Sequence, residues 1–373
     1  MKALSFVLLF IFGMGFAAPA WAFPEMIRHG YTSCMTCHVS PNGGGLMTPY
    51  GRSMSKEILS RHAYEGEERL FHGALDAEGL NSWLDGSREI GFNVGGDVRW
   101  VQSHKESNDA RERRSIFMQA EIEAAAQYKT LTLTGAFGRF PKGRDEFVSR
   151  SRKWSAIYRP LDGVSIRAGR FLPSHGLLVP EHIYLTRKEL GFDQGFERNA
   201  LEVAWVTEKF TIFVTKTKDP DGQLFQEDGL SLRVEQTLAE TKKWGLSVYR
   251  GDGPAQDRLL VGADAQLAFG HSFVTLAEIN YVENENTAVK TRGFVGMSKT
   301  SYEFTRGVFA QLFLERSHRD VGNPLGYRDG FGPGFQFFPR PHWELSGHWI
   351  RRVDAQNSQR SGDEAYLLLH YYL

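Results

Sequence analysis

The amino-acid sequence predicts an all-β fold, a transmembrane outer-membrane β-barrel of about 16 antiparallel strands behind a short N-terminal segment. Two observations carry this prediction. From about residue 88 onward, apolar and polar residues alternate with period two in segments of about ten residues. The links between these segments tend to alternate between short and long, as periplasmic turns and outer loops do in such barrels.

The chain opens with an export signal. A positive start at Lys2, a nearly all-apolar run over residues 3–16 and a small-x-small triplet at residues 20–22 are its three parts. We therefore expect a signal peptide over residues 1–22 and a mature chain that begins at Phe23. The apolar run is shorter than the roughly 20 residues that a membrane-spanning helix needs, which disfavours a retained helix.

The composition excludes some classes of partner. The 373 residues include 44 Lys plus Arg and 44 Asp plus Glu, so the net charge is zero and no nucleic-acid partner is indicated. Aromatic residues make up 13% of the chain, and there are 39 glycines. This composition is typical of a barrel with aromatic residues at both membrane interfaces, so we expect contact with outer-membrane lipid.

The two cysteines of the sequence stand in one motif, Cys34-Met35-Thr36-Cys37-His38. Two residues between the thiols, followed directly by histidine, form the signature of covalent c-type haem attachment. In this chemistry the thiols add across the two vinyl groups of haem, and the histidine ligates the iron. The sequence therefore predicts one covalent haem c, with Cys34 and Cys37 as attachment sites and His38 as an axial ligand of the iron.

Two other interpretations of the cysteine pair are a disulfide or redox pair, and a zinc site. A redox CxxC pair normally lies in a βαβ context, and a structural zinc site needs two more ligands. The sequence displays neither of these contexts, so haem attachment is the main interpretation.

The second axial ligand is not fixed by the sequence. Methionine and histidine are common haem ligands, and several lie in the pre-barrel segment or in a turn of the predicted barrel. The candidates are Met47, Met54, His29, His62, His72 and His342. A five-coordinate iron without a second protein ligand is the alternative.

The rest of the pre-barrel segment is short. The glycine-rich residues 41–45 predict a loop that lets the backbone approach a flat ligand, with a plain flexible linker as the alternative. Residues 53–61 predict one helix with Ser53 as its cap. We assign residues 23–87 to a cytochrome c-like haem-binding segment and residues 88–373 to the barrel.

The strand pattern is clear over residues 116–127, where one face is apolar and the other includes Glu121 and Glu123. Short links at 161–163, 207–209 and 305–307 contrast with longer polar links at 105–113, 218–227 and 354–362. The predicted strands cover residues 88–104, 114–127, 131–140, 150–160, 164–171, 198–206, 210–217, 228–237, 243–251, 258–268, 272–282, 291–304, 308–317, 328–338, 342–352 and 363–373.

One link, residues 172–198, is much longer than the others and contains His175, Gly176 and Arg187. Porin-like barrels often fold one such loop into the lumen as a constriction. An exposed and mobile loop is the alternative, and the sequence favours neither.

The combination of these features resembles the fused monohaem cytochrome–porin proteins of iron-oxidising bacteria. In these, a signal peptide is followed by one CxxCH segment and then directly by a barrel. The local match runs from Phe23 through residues 34–38 to the aromatic-Gly-Arg triplet at residues 50–52, and beyond that it is architectural. The resemblance implies Cys34 and Cys37 as thioether sites, His38 as axial ligand and Fe(II) as a possible extracellular donor.

The function that follows is electron transfer across the bacterial outer membrane, between an extracellular donor or acceptor and a periplasmic cytochrome, rather than conversion of a substrate. A haem held only at the periplasmic face would not reach outside donors, so we expect the pre-barrel segment to lie inside the barrel. The alternative is a porin for a small solute in which the haem has a structural or sensory role. A haem enzyme such as a peroxidase needs an open distal position and a pocket base, and the sequence identifies neither.

Overall fold

The structure is a computed structural model, and the part of the chain that it describes is given by the following ranges. They are residues 23–63, 90–107, 110–141, 146–181, 183–218, 227–270, 272–286, 288–357 and 360–373. The predicted signal peptide and the candidate ligand His72 lie outside these ranges.

The described strands form one antiparallel sheet that closes on itself. They are β1 Ile90–Ser107, β2 Arg111–Tyr128, β3 Leu131–Pro141, β4 Phe147–Arg150, β5 Trp154–Leu161, β6 Val164–Phe171, β7 Arg198–Val206, β8 Phe210–Lys218, β9 Asp228–Ala239, β10 Lys242–Asp252, β11 Asp257–Phe269, β12 Phe273–Glu285, β13 Lys290–Thr305, β14 Val308–His318, β15 Tyr327–Phe337, β16 Trp343–Asp354 and β17 Gly362–Tyr372. The first and last strands, β1 and β17, pair over residues 97–107 and 362–372, which closes the barrel.

The barrel has sixteen strand positions. Both β4 and β5 pair with β3, so these two pieces form one interrupted strand of the ring. The predicted all-β class, the closed antiparallel barrel and the number of about 16 strands are thereby confirmed.

The two faces of the barrel differ in polarity as predicted. In β2, Gln119, Glu121 and Glu123 are buried inside, whereas Ile122 between them is 68% exposed on the outer face. Large apolar side chains cover the outer face of the other strands in the same way. Examples are Leu133, Phe137, Val203, Trp205, Val214, Leu232, Leu246, Val261, Ile279, Leu312, Leu314 and Leu369. Such an outer surface, around a polar interior, is suited to lipid.

Two hairpin regions differ from the predicted strand bounds. The predicted loop 105–113 is mostly strand, because oppositely charged residues such as Glu106 and Arg111 face each other and pair across β1 and β2. The predicted strand 150–160 is broken between β4 and β5. A break of this kind does not show in an alternation pattern, because both pieces alternate.

Helices in the described ranges are short. They are 3-10 helices at Phe23–His29 and Cys34–Thr36, α1 Pro49–Met54 with a π-helical continuation at Ser55–Leu59, and α2 Leu185–Leu190. No helix within those ranges is long and apolar enough to cross a membrane.

The predicted helix 53–61 begins earlier than expected. Thr48 is its cap, since the Thr48 hydroxyl accepts a hydrogen bond from the Gly51 amide at 3.1 Å, and Pro49 takes the first helical position. The predicted cap Ser53 lies within the helix instead, where its hydroxyl donates to the carbonyl of Pro49.

The long link between β6 and β7 folds into the lumen. The Leu177 amide donates to Glu278 on the inner face of β12 at 2.7 Å, and the Leu185 amide donates to Glu315 on the inner face of β14 at 2.7 Å. We name residues 172–197 the inward loop. Of the two alternatives that the sequence left open, an inward-folded loop and an exposed loop, the structure has the inward-folded loop.

The outer face yields a stability prediction. Val203 lies between the apolar residues Ile166 and Val214 of the neighbouring strands, whereas Leu238 lies beside the short turn after β9. We expect Val203→Arg to lower the free energy of unfolding in lipid by about 2–4 kcal/mol, and Leu238→Arg by about 0–1 kcal/mol. Urea unfolding in vesicles measures both, and equal losses would contradict a lipid-facing band.

Candidate functional site

Residues 23–63 lie inside the barrel at the end where the short turns meet. Arg28 forms an ion pair with Glu303 of β13 and stacks over the ring of Phe309 of β14 at 4.9 Å. At the other end of the segment, the Arg61 amide donates to the carbonyl of Phe338 at 2.8 Å. The expectation that the pre-barrel segment lies within the lumen is confirmed for these residues.

The middle of the segment is held between the barrel wall and the inward loop. Arg159 donates to the carbonyl of Val39 at 3.0 Å, and Arg167 donates to the hydroxyl of Ser40 at 2.7 Å. The amide of the Asn42 side chain donates to the carbonyl of Leu172 at 3.0 Å. The segment therefore contacts both the wall and the loop that enters from the opposite end.

The cysteine motif forms a compact turn. The Cys37 and His38 amides both donate to the carbonyl of Cys34, at 3.3 and 3.0 Å, and the Thr48 amide donates to the carbonyl of Cys37 at 2.9 Å. The two thiols are free rather than joined in a disulfide. Burial raises the pKa of the Cys34 thiol and raises that of Cys37 to about 11, so both thiols are protonated at neutral pH.

The ring of His38 is oriented by the backbone. Its Nδ1 atom lies 3.3 Å from the carbonyl oxygen of Gly45, which can only accept, so Nδ1 is the donor. Metal-ligating histidines commonly donate their second ring nitrogen in this way, which leaves Nε2 as the coordinating atom. Burial lowers the pKa of His38 and so favours the neutral ring that a metal needs.

Two glycines make room around the motif. Gly43 has φ of +84°, and a Cβ at that position would lie 3.2 Å from Sγ of Cys34. A Cβ at Gly51 would collide with the carbonyl oxygen of Cys37. The glycine-rich loop and the aromatic-Gly-Arg triplet thus both serve the close approach of backbone to the cysteine turn.

The motif faces a cavity of about 370 Å³ inside the barrel. Cys34, Cys37 and His38 line it on one side, and residues 172–180 of the inward loop line it as well. The charged side chains of its lining are Arg99, Lys153, Arg167, Arg170, Arg187, Arg233, Lys243, Asp97, Glu123, Glu197 and Glu235. Several of these cations pair with carboxylates of the wall behind the lining, as Arg167 does with Glu202 and Arg233 with Asp264.

Some of the candidates for the second axial ligand line the cavity, and others do not. Met47 and Met54 line it, whereas His29, His62 and His342 are not part of its described lining. Met47 forms an antiparallel bridge directly opposite His38. Directly opposite residues project to the same side, about 5 Å apart, so the side chain of Met47 lies next to that of His38.

Met54 also lines the cavity, and its sulfur accepts a hydrogen bond from the Tyr31 hydroxyl at 3.4 Å. The cavity also brings in Met26 and His175, which the sequence analysis did not nominate as ligands. His175 reaches the cavity because the long loop folds inward, a course that no local pattern in the sequence indicates.

A zinc site has no ligand set in the described ranges, because no group of three or more His, Cys, Asp and Glu side chains there is arranged to hold a metal ion. The residues around the cysteines instead fit the motif chemistry of haem c: two adjacent free thiols, a histidine with an oriented Nε2, glycines that clear the approach, and a cavity.

Comparison with known proteins matches the barrel. The chain is similar to OmpT of Vibrio cholerae (10% identity, 76% of this chain and 99% of that chain, TM-score 0.61). It is also similar to the DcaP channel of Acinetobacter baumannii (11%, 77% and 98%, 0.58) and to an anion-selective porin from Comamonas acidovorans (11%, 76% and 100%, 0.58). No protein-family model and no curated protein sequence matches the chain.

At such low identity the likeness establishes the fold, which is that of outer-membrane porins. Together with the apolar outer face described above, this fold places the protein in the bacterial outer membrane. The chain is a porin-like outer-membrane barrel with a polypeptide segment and a long loop inside its lumen.

The packing of Gly51 generates a prediction. We expect Gly51→Ala to disturb the cysteine turn, because the added methyl group meets backbone atoms that cannot rotate away; such overpacking costs about 1–3 kcal/mol. Amide hydrogen exchange over residues 34–54 should become faster. Gly135→Ala in β3 is the matched control, since no atom lies within 4 Å of the added Cβ. Equal exchange in both variants would contradict the close contact.

Proposed function

We propose that this chain is an electron-transfer protein of the outer membrane, with one haem c attached covalently at Cys34 and Cys37 and ligated by His38. The observation that carries the proposal is the position of this motif. All three side chains face a cavity inside a lipid-facing barrel, and the inward loop lines the same cavity.

Bound haem c supplies a one-electron Fe(III)/Fe(II) couple. The residues of this chain would set its position and surroundings. The carbonyl of Gly45 fixes the tautomer of His38, and the wall residues Arg159 and Arg167 hold the loop that follows the motif. Cationic side chains of the cavity lining would lie near the negative propionates of the bound group.

The position of the cysteine motif within the lumen shortens the distance that electrons must cross between the two sides of the membrane. The apolar band of an outer-membrane barrel is about 25 Å tall, so a carrier on one face is far from partners on the other. A carrier inside the barrel has a shorter path to the far side than a carrier held on the near face has. The proposed partners are an extracellular electron donor or acceptor, with Fe(II) as a candidate donor, and a periplasmic cytochrome.

The first prediction from this proposed function concerns the covalent attachment of haem. Wild-type protein produced with a c-type maturation system should stain for haem in denaturing gels and gain the mass of one haem. Cys34→Ser combined with Cys37→Ser should lose both signals, because no thioether can form. Ser33→Ala, next to the motif, is the control and should keep them. Wild-type protein without the added mass would overturn the proposal.

A second function, diffusion of a small solute, is favoured by the likeness to porins. Two of these proteins are a channel and an anion-selective porin. In this alternative the haem has a structural or sensory role. The segment at one end of the lumen and the inward loop count against a wide pore.

Reconstituted protein distinguishes the two functions. We expect haem-loaded protein in liposomes to pass electrons from an impermeant outside donor to a trapped cytochrome, with little ion conductance in planar bilayers. A Cys34→Ser, Cys37→Ser variant should abolish electron passage. Large conductance without electron passage in the haem-loaded protein would favour the porin.

A further inference from the structure

A group of charged side chains lies on the lumen wall where β16, β17 and β1 meet. It comprises Asp97 and Arg99 of β1, Glu344 of β16 and His370 of β17. His370, Glu344 and Arg99 are each more than nine-tenths buried. Asp97, Arg99 and His370 line the same cavity as His38. The group therefore shares the cavity with the proposed haem, although the cysteine motif does not contact it directly.

The ring of His370 lies between two carboxylates. Its Nδ1 atom donates a hydrogen bond to Oε2 of Glu344 at 2.8 Å. Its Nε2 atom lies 3.3 Å from Oδ1 of Asp97 but has no hydrogen bond of good geometry among the described residues. A proton on Nε2 would complete a charge-assisted hydrogen bond to Asp97, so Nε2 is the nitrogen at which a proton is gained or lost.

The charged and polar neighbours of His370 determine the net charge of the group. Arg99 contacts both oxygens of Asp97, at 2.9 and 2.8 Å. Glu344 also accepts from the side chain of Gln336 of β15 at 2.8 Å, and the ring of Tyr372 lies 5.1 Å from that of His370.

Glu121 of β2 also interacts with Arg99, while its carboxylate pairs with Lys153. Within the group itself, two carboxylates face one guanidinium. The group is electrically neutral only while His370 carries a second proton.

We propose that Nε2 of His370 is a proton-exchange site coupled to electron transfer through the shared cavity. This inference rests on the proposed function. When the haem-loaded protein takes up one electron from a one-electron donor, one proton from water binds Nε2 of His370. When the electron leaves to a one-electron acceptor, the same N–H bond breaks and the proton returns to water.

The coupling is electrostatic. An electron added to the cavity makes it more negative and strengthens proton binding at His370 by roughly tenfold for a separation near 10 Å at an effective dielectric constant of 20. The oxidised protein therefore loses this proton at lower pH than the reduced protein. Between the pH at which the oxidised protein loses this proton and the higher pH at which the reduced protein loses it, the midpoint potential of the protein falls as the pH rises. Outside this interval the midpoint potential does not depend on this proton.

Spectroelectrochemical titration of the full-length, haem-loaded protein from about pH 5 to pH 9 tests the inference. Wild-type protein should have a midpoint potential that falls with pH over part of this range. His370→Gln should remove this slope, because glutamine cannot bind the proton. His348→Gln is the matched control: His348 is also buried on the inner wall and bonded to a side-chain amide at 3.0 Å, but it is outside the described cavity lining.

Asp97→Asn is a second variant with a different expected result. A neutral amide stabilises the protonated ring less than a carboxylate does, so the sloping region should move to lower pH. Heat-dependent migration in gels identifies which variants have folded barrels, and proton uptake upon reduction, followed with a pH dye, measures the coupling independently of the potential.

The outcomes separate the two proposals. Haem-loaded His370→Gln with the wild-type slope and wild-type proton uptake overturns the proton-exchange site and leaves the electron-transfer function in place. A wild-type chain that lacks covalent haem overturns the function, and the proton-exchange site falls with it. A slope lost in His370→Gln, kept in His348→Gln and displaced in Asp97→Asn supports the site.

Discussion

Closure of the sheet is the constraint on which the rest of the structure depends. Inside a bilayer no water can satisfy a free backbone N–H or C=O group, so every strand must have a partner on both sides. The pairing of β1 with both β2 and β17 meets this condition. Once the sheet is closed, alternate side chains face an interior that lipid does not reach, and charged residues can be buried there.

The interior is organised by paired charges rather than by an apolar core alone. Arg233 contacts Asp264 and Glu235, and Arg258 contacts Glu227, in the same lumen. Carboxylates on the wall accept backbone amides of the inward loop, as Glu278 does from Leu177. A buried carboxylate without such donors would be costly, so the loop and the wall stabilise each other's polar groups. The cavity next to the cysteine motif is the space that the wall and the inward loop do not fill.

The sequence was sufficient for the barrel and for the cysteine motif. Alternation of the kind in β2 is a local pattern, and the spacing of Cys34, Cys37 and His38 is local as well. The course of residues 172–197 was not predictable, because it depends on partners such as Glu278 and Glu315, which are more than 100 residues away along the chain. The same reason applies to His370, whose neighbours come from strands at both ends of the barrel sequence. The early start of α1 has a local cause, since Thr48 caps the helix and Pro49 takes its first position.

The contacts that hold residues 23–63 have a consequence for biogenesis. Their partners, such as Glu303, Phe338 and Arg167, belong to strands and turns that come together only after most of the barrel has been synthesised and closed. A maturation enzyme that must reach both thiols would then have to enter the lumen beside the inward loop. Under the proposed function, the cofactor would be attached in the periplasm to the still extended leader of the mature chain, before the assembly machinery seals the last strand against the first. Strains in which insertion outpaces attachment would accumulate barrels that can no longer be loaded.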